Sequence, residues 1–175
     1  MDLLYKNIRI RNASAEDAPT LAQWWNDGSV MAHAGFPLGL NTTPERIAAE
    51  IESDTDDSRR RLMLLLDSSP IGEMVYRNLA GNTADIGIKI CNADYQEKGI
   101  GRIALSMLIR ELFQAGYTKI ILDTDLNNLR AQHVYEIIGF QKIRVNTNSW
   151  TNQLGKQESS VDYVLTAETF HDYAV

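Results

Sequence analysis

The chain has 175 residues, of which 44% are hydrophobic and 23% charged, as in folded globular proteins; this composition excludes an intrinsically disordered chain. The formal net charge of −6 and the pI of about 5.0 argue against a nucleic-acid-binding protein, which usually carries a basic face. The single cysteine, Cys91, excludes an intramolecular disulfide, and no apolar run is long enough for a signal peptide or a membrane span. We therefore expect residues 1–175 to form one cytoplasmic domain that binds neither nucleic acid nor a membrane.

The first third of the chain is expected to contain one strand and two helices. Alternating residues predict a strand at 8–13. A serine three residues before an aspartate is typical of a helix start and predicts a helix at 14–26. Three glycines and a proline predict a loop at 27–42, and Thr-Pro-Glu predicts a second helix at 43–53.

In the middle of the chain, apolar runs separated by turn residues predict strands. Strands at 61–67, 71–79 and 84–91 are joined by short turns and should form an antiparallel meander. A helix at 99–115 and a buried strand at 119–125 follow, so this β-α-β unit is expected to pair its strands in parallel.

The last part of the chain predicts a helix at 128–138, a strand at 140–145 and a final strand at 159–166. The polar residues between these two strands, 146–160, predict a loop. The order of elements indicates a mixed α/β, or α+β, domain.

A glycine-containing segment, Gln96 to Arg102, lies between a predicted strand and the start of a predicted helix. The first amides of a helix lack internal acceptors, and the helix dipole adds positive potential, so this position favours an anion. Gly99 and Gly101 allow the backbone to approach a diphosphate closely, while Lys98 and Arg102 add positive charge.

Other interpretations of this segment are a plain tight turn, a dinucleotide site and a P-loop. Residues 99–104 fit G-x-G-x-x-A, and Asp123 follows at about the right distance for a dinucleotide fingerprint. However, several residues separate the segment from the strand end at Cys91, and too little chain remains for a second mononucleotide half. A P-loop would need Gly-Lys-Ser/Thr, which does not follow.

Residues 96–101 resemble the Q/R-x-x-G-x-G/A motif of the GNAT superfamily of acetyl-CoA-dependent N-acetyltransferases. Residues 128–140, NLRAQHVYEIIGF, are similar to that family's N-x-x-A-x-x-x-Y-x-x-x-G-F signature, and the order of elements matches along nearly the whole chain. The resemblance implies a GNAT fold: a central, mostly antiparallel twisted sheet of about seven strands, about four helices and a splayed cofactor cleft. It also implies an acceptor among ribosomal-protein N-termini, polyamines or aminoglycosides, and the Leu122-Asp123 pair slightly favours the last.

The family resemblance further implies which residues bind acetyl-CoA. Main-chain groups of one strand would pair with the pantetheine arm, the amides of the glycine segment would hold the pyrophosphate, and an asparagine would contact the arm. These cofactor-binding candidates are Ile88, Lys89, Ile90, Gln96, Glu97, Lys98, Gly99, Ile100, Gly101, Arg102, Asn128, Ala131 and Tyr135.

Direct attack of a neutral amine on a thioester, in a ternary complex, requires a proton acceptor, oxyanion donors and a proton for the leaving thiolate. Tyr135 lies where the family commonly has its general acid, although it could also serve only in packing. Asp85 and Glu73 are candidate bases, each with the alternative of a solvated charge at a strand end. Backbone amides near 88–90 are the expected oxyanion donors.

An amine acceptor is expected near the first helices, as the family resemblance implies. Aromatic residues there could favour a cation, and two aspartates could attract it, although Trp25 fits a position in the core better. The acceptor-binding candidates are Trp24, Trp25, His33, Phe36, Asp123 and Asp125. The alternative functions are a catalytically silent acyl-CoA-binding domain and an NAD-binding domain, and pairing into a homodimer through the C-terminal strands is a further family-level expectation.

Overall fold

Eight strands form one sheet in the computed structural model, which describes residues 1–175. Their order across the sheet is β1-β2-β3-β4-β5-β6-β8-β7, and only β5 and β6 are parallel neighbours. The strands are β1 (Asp2–Tyr5), β2 (Ile8–Asn12), β3 (Arg59–Leu66), β4 (Ser69–Leu79), β5 (Thr83–Ile90), β6 (Lys119–Asp125), β7 (Gln141–Thr151) and β8 (Gln157–Leu165).

The mixed α/β class and the parallel β-α-β unit are confirmed, but the expected number of about seven strands is too low. The additional strand is β1, which pairs antiparallel with β2. At four residues it is too short to give a clear alternation in the sequence.

Five α-helices connect the strands instead of the expected four or so. They are α1 (Ala18–Trp25), α2 (Gly28–Met31), α3 (Pro44–Glu52), α4 (Ile100–Gln114) and α5 (Leu129–Ile138). The additional helix is α2, which lies inside the predicted loop 27–42 and is too short for a helical period to be visible. Asp27 begins it by accepting the Ser29 N–H at 2.8 Å. None of the helices combines the length and apolar character needed to cross a membrane.

Capping residues mark both ends of the helices. Thr43 and Asn128 cap α3 and α5, each accepting the backbone N–H three residues further on, at 3.3 and 3.2 Å. Gly139 ends α5 with φ of 108°, and a Cβ there would lie 1.7 Å from the carbonyl oxygen of Thr169. Only glycine fits this position, because both the positive φ and the close backbone exclude a side chain.

The continuous apolar run in β3 is explained by helices on both faces of the sheet. Leu62 and Leu64 belong to the larger core, which packs under α4 and α5. Met63 and Leu65 point the other way, into a smaller core formed with α1 and α3. A strand that is buried on both faces loses the polar alternation of a half-exposed strand.

β5 and β6 separate after a short stretch of pairing. They are hydrogen-bonded over three residue pairs only, which end at Asp85 and Ile121. Beyond that point β5 remains paired with β4 and β6 with β8, so the inner edges of 86–90 and 122–125 face each other without a shared ladder. This is the expected splay, and it opens a cleft in the sheet.

The polar segment 146–160, predicted as a loop, is instead mostly a β-hairpin. β7 continues to Thr151, β8 begins at Gln157, and these two residues pair directly. The register shifts between Asn146 and Trp150, which marks an irregular stretch. β7 is an edge strand with mostly exposed side chains, so its composition resembles that of a loop.

The hairpin tip is bound to the segment that follows α2. Gln153 donates its backbone N–H to the Gly35 carbonyl at 2.8 Å and its side-chain amide to the Gly39 carbonyl at 2.9 Å. Its Oε1 also accepts the Leu38 N–H at 2.8 Å. Residues 35–39 and the hairpin therefore form a bridge over one side of the cleft.

A buried ion pair connects the end of α3 to β3. The Asp54 side chain is 3% exposed, and its Oδ1 accepts from Arg61 Nη1 at 2.8 Å and from Arg59 Nε at 3.2 Å. Its Oδ2 accepts the Arg61 backbone N–H at 2.9 Å. The second Arg61 nitrogen bonds to Glu50 at 2.7 Å, so this arginine is held on two sides.

We predict that Asp54→Ala lowers the free energy of unfolding by about 3 kcal/mol, because it leaves a buried guanidinium without its main partner. The matched control is Asp2→Ala, which breaks the exposed pair between Asp2 and Arg9 and should lower the stability much less, because water screens this pair. Urea denaturation of both variants measures the difference. Equal losses would contradict a special role for the buried pair.

Candidate active site

The splay between β5 and β6 opens into a cleft of about 1190 Å³. Its walls come from β5, the start of α4, β6, α5, the α2 region and the β7–β8 hairpin. Most of the site residues predicted from the sequence line it, namely His33, Ile88, Lys89, Ile90, Gln96, Glu97, Gly99, Gly101, Arg102, Asp123, Asp125, Asn128, Ala131 and Tyr135.

The glycine segment presents free backbone N–H groups to this cleft. Gly99 has φ of 76° and precedes the first residue of α4, and the amides from Glu97 to Arg102 have no acceptor within the chain. Outside its chain neighbours and its own helix backbone, a Cβ on Gly101 would come no closer than 3.5 Å to the protein, at Ile90 Cδ1. Packing within the chain therefore does not require glycine at 101, whereas close approach of a ligand would.

Several side chains around the segment are charged. The Arg102 guanidinium lies 4.4 Å from the ring centroid of Tyr173, and its Nε is buried without a hydrogen-bond partner. Arg130 pairs with Glu97 at 3.3 Å, which joins the start of α5 to the glycine segment. Lys98 is exposed and lies over the Tyr95 ring, outside the cleft. The segment can thus bind an anion through its amides and Arg102.

Three other cofactor candidates have clear positions. Gln96 donates its side-chain amide to the Ile90 carbonyl at 2.9 Å, so it holds the end of β5 in place. Ile100 is buried in the larger core, and only its backbone amide is available. The Asn128 side-chain oxygen caps α5, which leaves its NH₂ group without a protein acceptor, and the small Ala131 lies one turn further along the cleft wall.

Tyr135 serves in packing and also reaches the cleft. Its ring packs edge-on against Phe140 and Tyr163, with centroids 5.9 and 5.8 Å away. Its hydroxyl has no hydrogen-bond partner in the chain, and the residue lines the cleft. Burial raises the pKa of Tyr135 to about 12, and the nearby Asp123 carboxylate adds to the rise. The phenol is therefore protonated at neutral pH and can donate a proton.

A row of charged side chains crosses β4, β5, β6, β8 and β7 on one face of the sheet. Asp85 pairs with Arg77 at 3.0 Å, and Asp162 pairs with Arg144 at 2.8 Å. Asp123 lies between them, directly opposite Asp162 on the neighbouring strand, and has no cationic partner. Desolvation raises the pKa of the Asp123 carboxyl, and the Asp85 and Asp162 carboxylates raise it further. Asp123 is thus the carboxylate of the row that can accept a proton inside the cleft.

The remaining acidic candidates have partners within the chain. Glu73 Oε1 accepts from Trp25 Nε1 at 2.8 Å and from Lys89 Nζ at 3.1 Å. Lys89 Nζ also lies 3.1 Å from the Met31 sulfur. Asp125 accepts the N–H two residues on, at 2.7 Å, and so stabilises the turn before α5.

A second cavity of about 370 Å³ adjoins the cleft and contains Trp25 and Glu73. It shares Gly87, Ile88 and Lys89 with the cleft. Its other walls include Met31, Leu40, Arg59, Arg61 and Arg77, none of which was predicted as a site residue. The alternation of Arg59 and Arg61 on one face of β3 is the one pattern in the sequence that could have indicated them.

Two of the predicted aromatic residues line neither cavity. Trp24 packs against the smaller core, and Phe36 is 38% exposed. Trp150, which the sequence analysis missed, lines the cleft and packs against Gly35, where a Cβ would lie 2.5 Å from the indole ring. Its role could not be seen while residues 146–160 were interpreted as a loop.

Cys91 follows β5 and is 7% exposed. Its sulfur lies 3.7 Å from the Lys89 carbonyl oxygen. Burial raises the pKa of the Cys91 thiol to about 12, and the Glu73 carboxylate contributes to the rise. Cys91 is therefore a small buried hydrophobic residue and not a nucleophile.

Among curated proteins, this chain is similar to the [ribosomal protein bS18]-alanine N-acetyltransferase of Escherichia coli strain K12, at 31% identity over 68 residues. The match covers 39% of this chain and 46% of that enzyme, so it spans about half the length of the curated relative.

Two solved structures share the fold. The spermidine N-acetyltransferase from Vibrio cholerae, in complex with CoA and spermine, has a TM-score of 0.81 and 18% identity and covers 93% of this chain and 97% of its own. The ribosomal-protein-S5-alanine acetyltransferase from Vibrio fischeri has a TM-score of 0.80 and 18% identity, and it covers 98% of this chain and 99% of its own. The family model described as the acetyltransferase (GNAT) domain matches residues 7–141. With most of its length matched by that model, the chain belongs to the GNAT acetyltransferase family.

Proposed function

We propose that this chain is an N-acetyltransferase that transfers the acetyl group of acetyl-CoA to a primary amine by direct attack in a ternary complex. The observation that carries this proposal is the convergence, in one cleft, of an unpaired strand edge, free helix N-terminal amides and a protonated tyrosine. The acceptor is an amine of a protein N-terminus, a polyamine or an aminoglycoside-like compound.

The residues of the cleft fit acetyl-CoA. Beyond Asp85 the inner edge of β5 has no ladder partner, so the free main-chain groups at 88–90, apart from the Ile90 carbonyl that accepts from Gln96, can bond to the pantetheine arm as a neighbouring strand would. The amides from Glu97 to Arg102, with the unpaired Arg102 Nε, suit the pyrophosphate. The free Asn128 NH₂ group can donate to the arm.

Acetyl-CoA supplies the thioester whose carbonyl carbon the amine attacks. In this proposal, β5 amides near Ile88 polarise the carbonyl oxygen, and Tyr135 donates its phenolic proton to the leaving sulfur. Asp123 attracts the ammonium and accepts, directly or through water, the proton that it must lose. Among the carboxylates near the cleft we favour Asp123 as this acceptor, because Asp85 and Glu73 are already paired with cations.

Pairing of two copies through the C-terminal strands stays a prediction. β7 is an edge strand of the sheet, and its Ile143 and Val145 side chains are 61% and 46% exposed. An edge strand with exposed apolar side chains is a surface on which a second copy can add.

We predict that Tyr135→Phe lowers kcat by roughly 10²-fold, the lower end of the range for loss of a general acid, and changes the KM for acetyl-CoA less than about twofold. Tyr163→Phe is the matched control. Its hydroxyl, in the same aromatic cluster, bonds to Glu136 outside the cleft, so kcat should be retained. Free-thiol release from acetyl-CoA measures both variants. Unchanged turnover in Tyr135→Phe would instead support a catalytically silent acyl-CoA-binding domain.

We predict that kcat/KM falls as the pH drops through the raised pKa of Asp123, because a proton acceptor works only when deprotonated. Asp123→Asn should lower kcat/KM. In this variant the fall in kcat/KM caused by protonation of Asp123 should disappear, and only the fall caused by protonation of the acceptor amine should remain. Tyr135 must be protonated to act as the acid. Because its pKa is about 12, it loses this proton only above the usual pH range of the assay. An identical acid limb in both proteins would exclude Asp123 as the proton acceptor.

We predict that Gly101→Ala weakens CoA binding by about tenfold and leaves the fold intact. Outside its chain neighbours and its own helix backbone, the new methyl group comes no closer than 3.5 Å to the protein, and replacing a helical glycine by alanine stabilises a helix by up to about 1 kcal/mol. The methyl group would instead occupy space that the pyrophosphate needs. Calorimetric titration with CoA, together with urea denaturation, separates these effects. Unchanged CoA affinity would mean that the phosphates bind elsewhere.

A further inference from the structure

The second cavity has more cationic than anionic side chains in its walls, and it adjoins the proposed active site. Its charge therefore bears on which acceptors can bind. We propose that it binds an anionic group of the acceptor, so that the preferred substrate is an amine that carries a carboxylate nearby, such as a peptide with an acidic residue next to its N-terminus. This inference rests on the proposed transferase function and narrows the acceptor class.

Four of the five charged side chains that line the cavity are cationic. Arg59, Arg61, Arg77 and Lys89 line it, against the single carboxylate of Glu73. The carboxylates that pair with these arginines do not line the cavity; they are Glu50, Asp54 and Asp85. The cavity therefore meets the positive ends of these ion pairs, which a bound anion could contact as well.

Two of the arginines keep free donors. Arg59 bonds to Asp54 through Nε alone, and Arg77 bonds to Asp85 through Nη1 alone. Their side chains are 39% and 48% exposed, so the remaining N–H groups can reach a ligand without breaking these pairs. A guanidinium with two adjacent free donors matches the two oxygens of a carboxylate.

The surroundings of these donors favour a charged contact. Trp25, Met31 and Leu40 belong to the apolar half of the wall, which also includes Met74, Val75 and Ile88. Trp25 is fixed in place by its hydrogen bond to Glu73. Apolar cover reduces access of water and strengthens the attraction between opposite charges.

The cavity adjoins the place where the amine must react. It meets the cleft at Gly87, Ile88 and Lys89, beside the point where β5 leaves β6. Asp123 lies on the other side of that point, between two further aspartates. An acceptor with its ammonium towards Asp123 and its carboxylate towards the arginines matches both charges. A polyamine would instead bring a second ammonium to a cationic wall, which is unfavourable.

The test compares two peptides that differ by one charge, Ala-Asp-Ala-amide and Ala-Asn-Ala-amide, with spermidine as a third acceptor. We expect kcat/KM for the aspartate peptide to exceed that for the asparagine peptide by roughly tenfold, the size of one charge-assisted contact. Arg59→Gln and Arg77→Gln should each remove most of this preference by raising the KM for the acceptor, with the KM for acetyl-CoA unchanged.

Arg9→Gln is the matched control, because Arg9 is also 48% exposed and paired with one aspartate but lies outside the cavity. It should keep the full preference. Equal or better use of the asparagine peptide or spermidine, unaffected by the arginine variants, would overturn the inference and leave the transferase function standing.

If no amine gives thiol release, the proposed function fails. A measurement of peptide binding then tests the anion-binding cavity on its own. Calorimetric titration of the CoA-loaded protein with Ala-Asp-Ala-amide should show binding that Arg59→Gln weakens by roughly tenfold. Absence of such binding, or equal binding of the asparagine peptide, would overturn the anionic site.

Discussion

The site depends on the separation of β5 from β6 after only three residue pairs. Each strand keeps its outer neighbour, so the sheet stays intact while two inner edges lose their ladder partners. Backbone N–H and C=O groups at such edges need a partner, which water or a ligand must supply. The same separation brings the start of α4 to one end of the cleft and α5, with Tyr135, to its wall.

Features with local causes were predictable from the sequence. Strand 119–125 was predicted with its observed bounds, because its apolar residues, of which Ile120 and Leu122 are buried, lie between clear helix ends. The caps at Thr43 and Asn128 and the glycine at 139 also carry their own signals. Helix α2 and the β7–β8 hairpin were missed, because a four-residue helix shows no period and an edge strand need not alternate.

The glycine segment and the signature in α5 made the cofactor cleft predictable from the sequence. The second cavity, on the proposed acceptor side, was not predictable in this way. The arginines of the second cavity come from β3 and β4, and its lysine comes from β5. Only strand register brings these side chains to one wall, and register is a property of the whole sheet. The sequence also does not show which carboxylate lacks a cationic partner. That depends on cations such as Arg77 and Lys89, which form ion pairs across strands.

The burial of Cys91 affects how the protein behaves in the presence of its own product. With a pKa of about 12, roughly one molecule in ten thousand carries the reactive thiolate at pH 8. Because this is the only cysteine, the chain has no ready partner for a mixed disulfide with free CoA, and mild oxidants have little thiolate to attack. A colorimetric thiol reagent added to the native protein should consequently react with released CoA alone, while unfolding should add one further equivalent of thiol per chain.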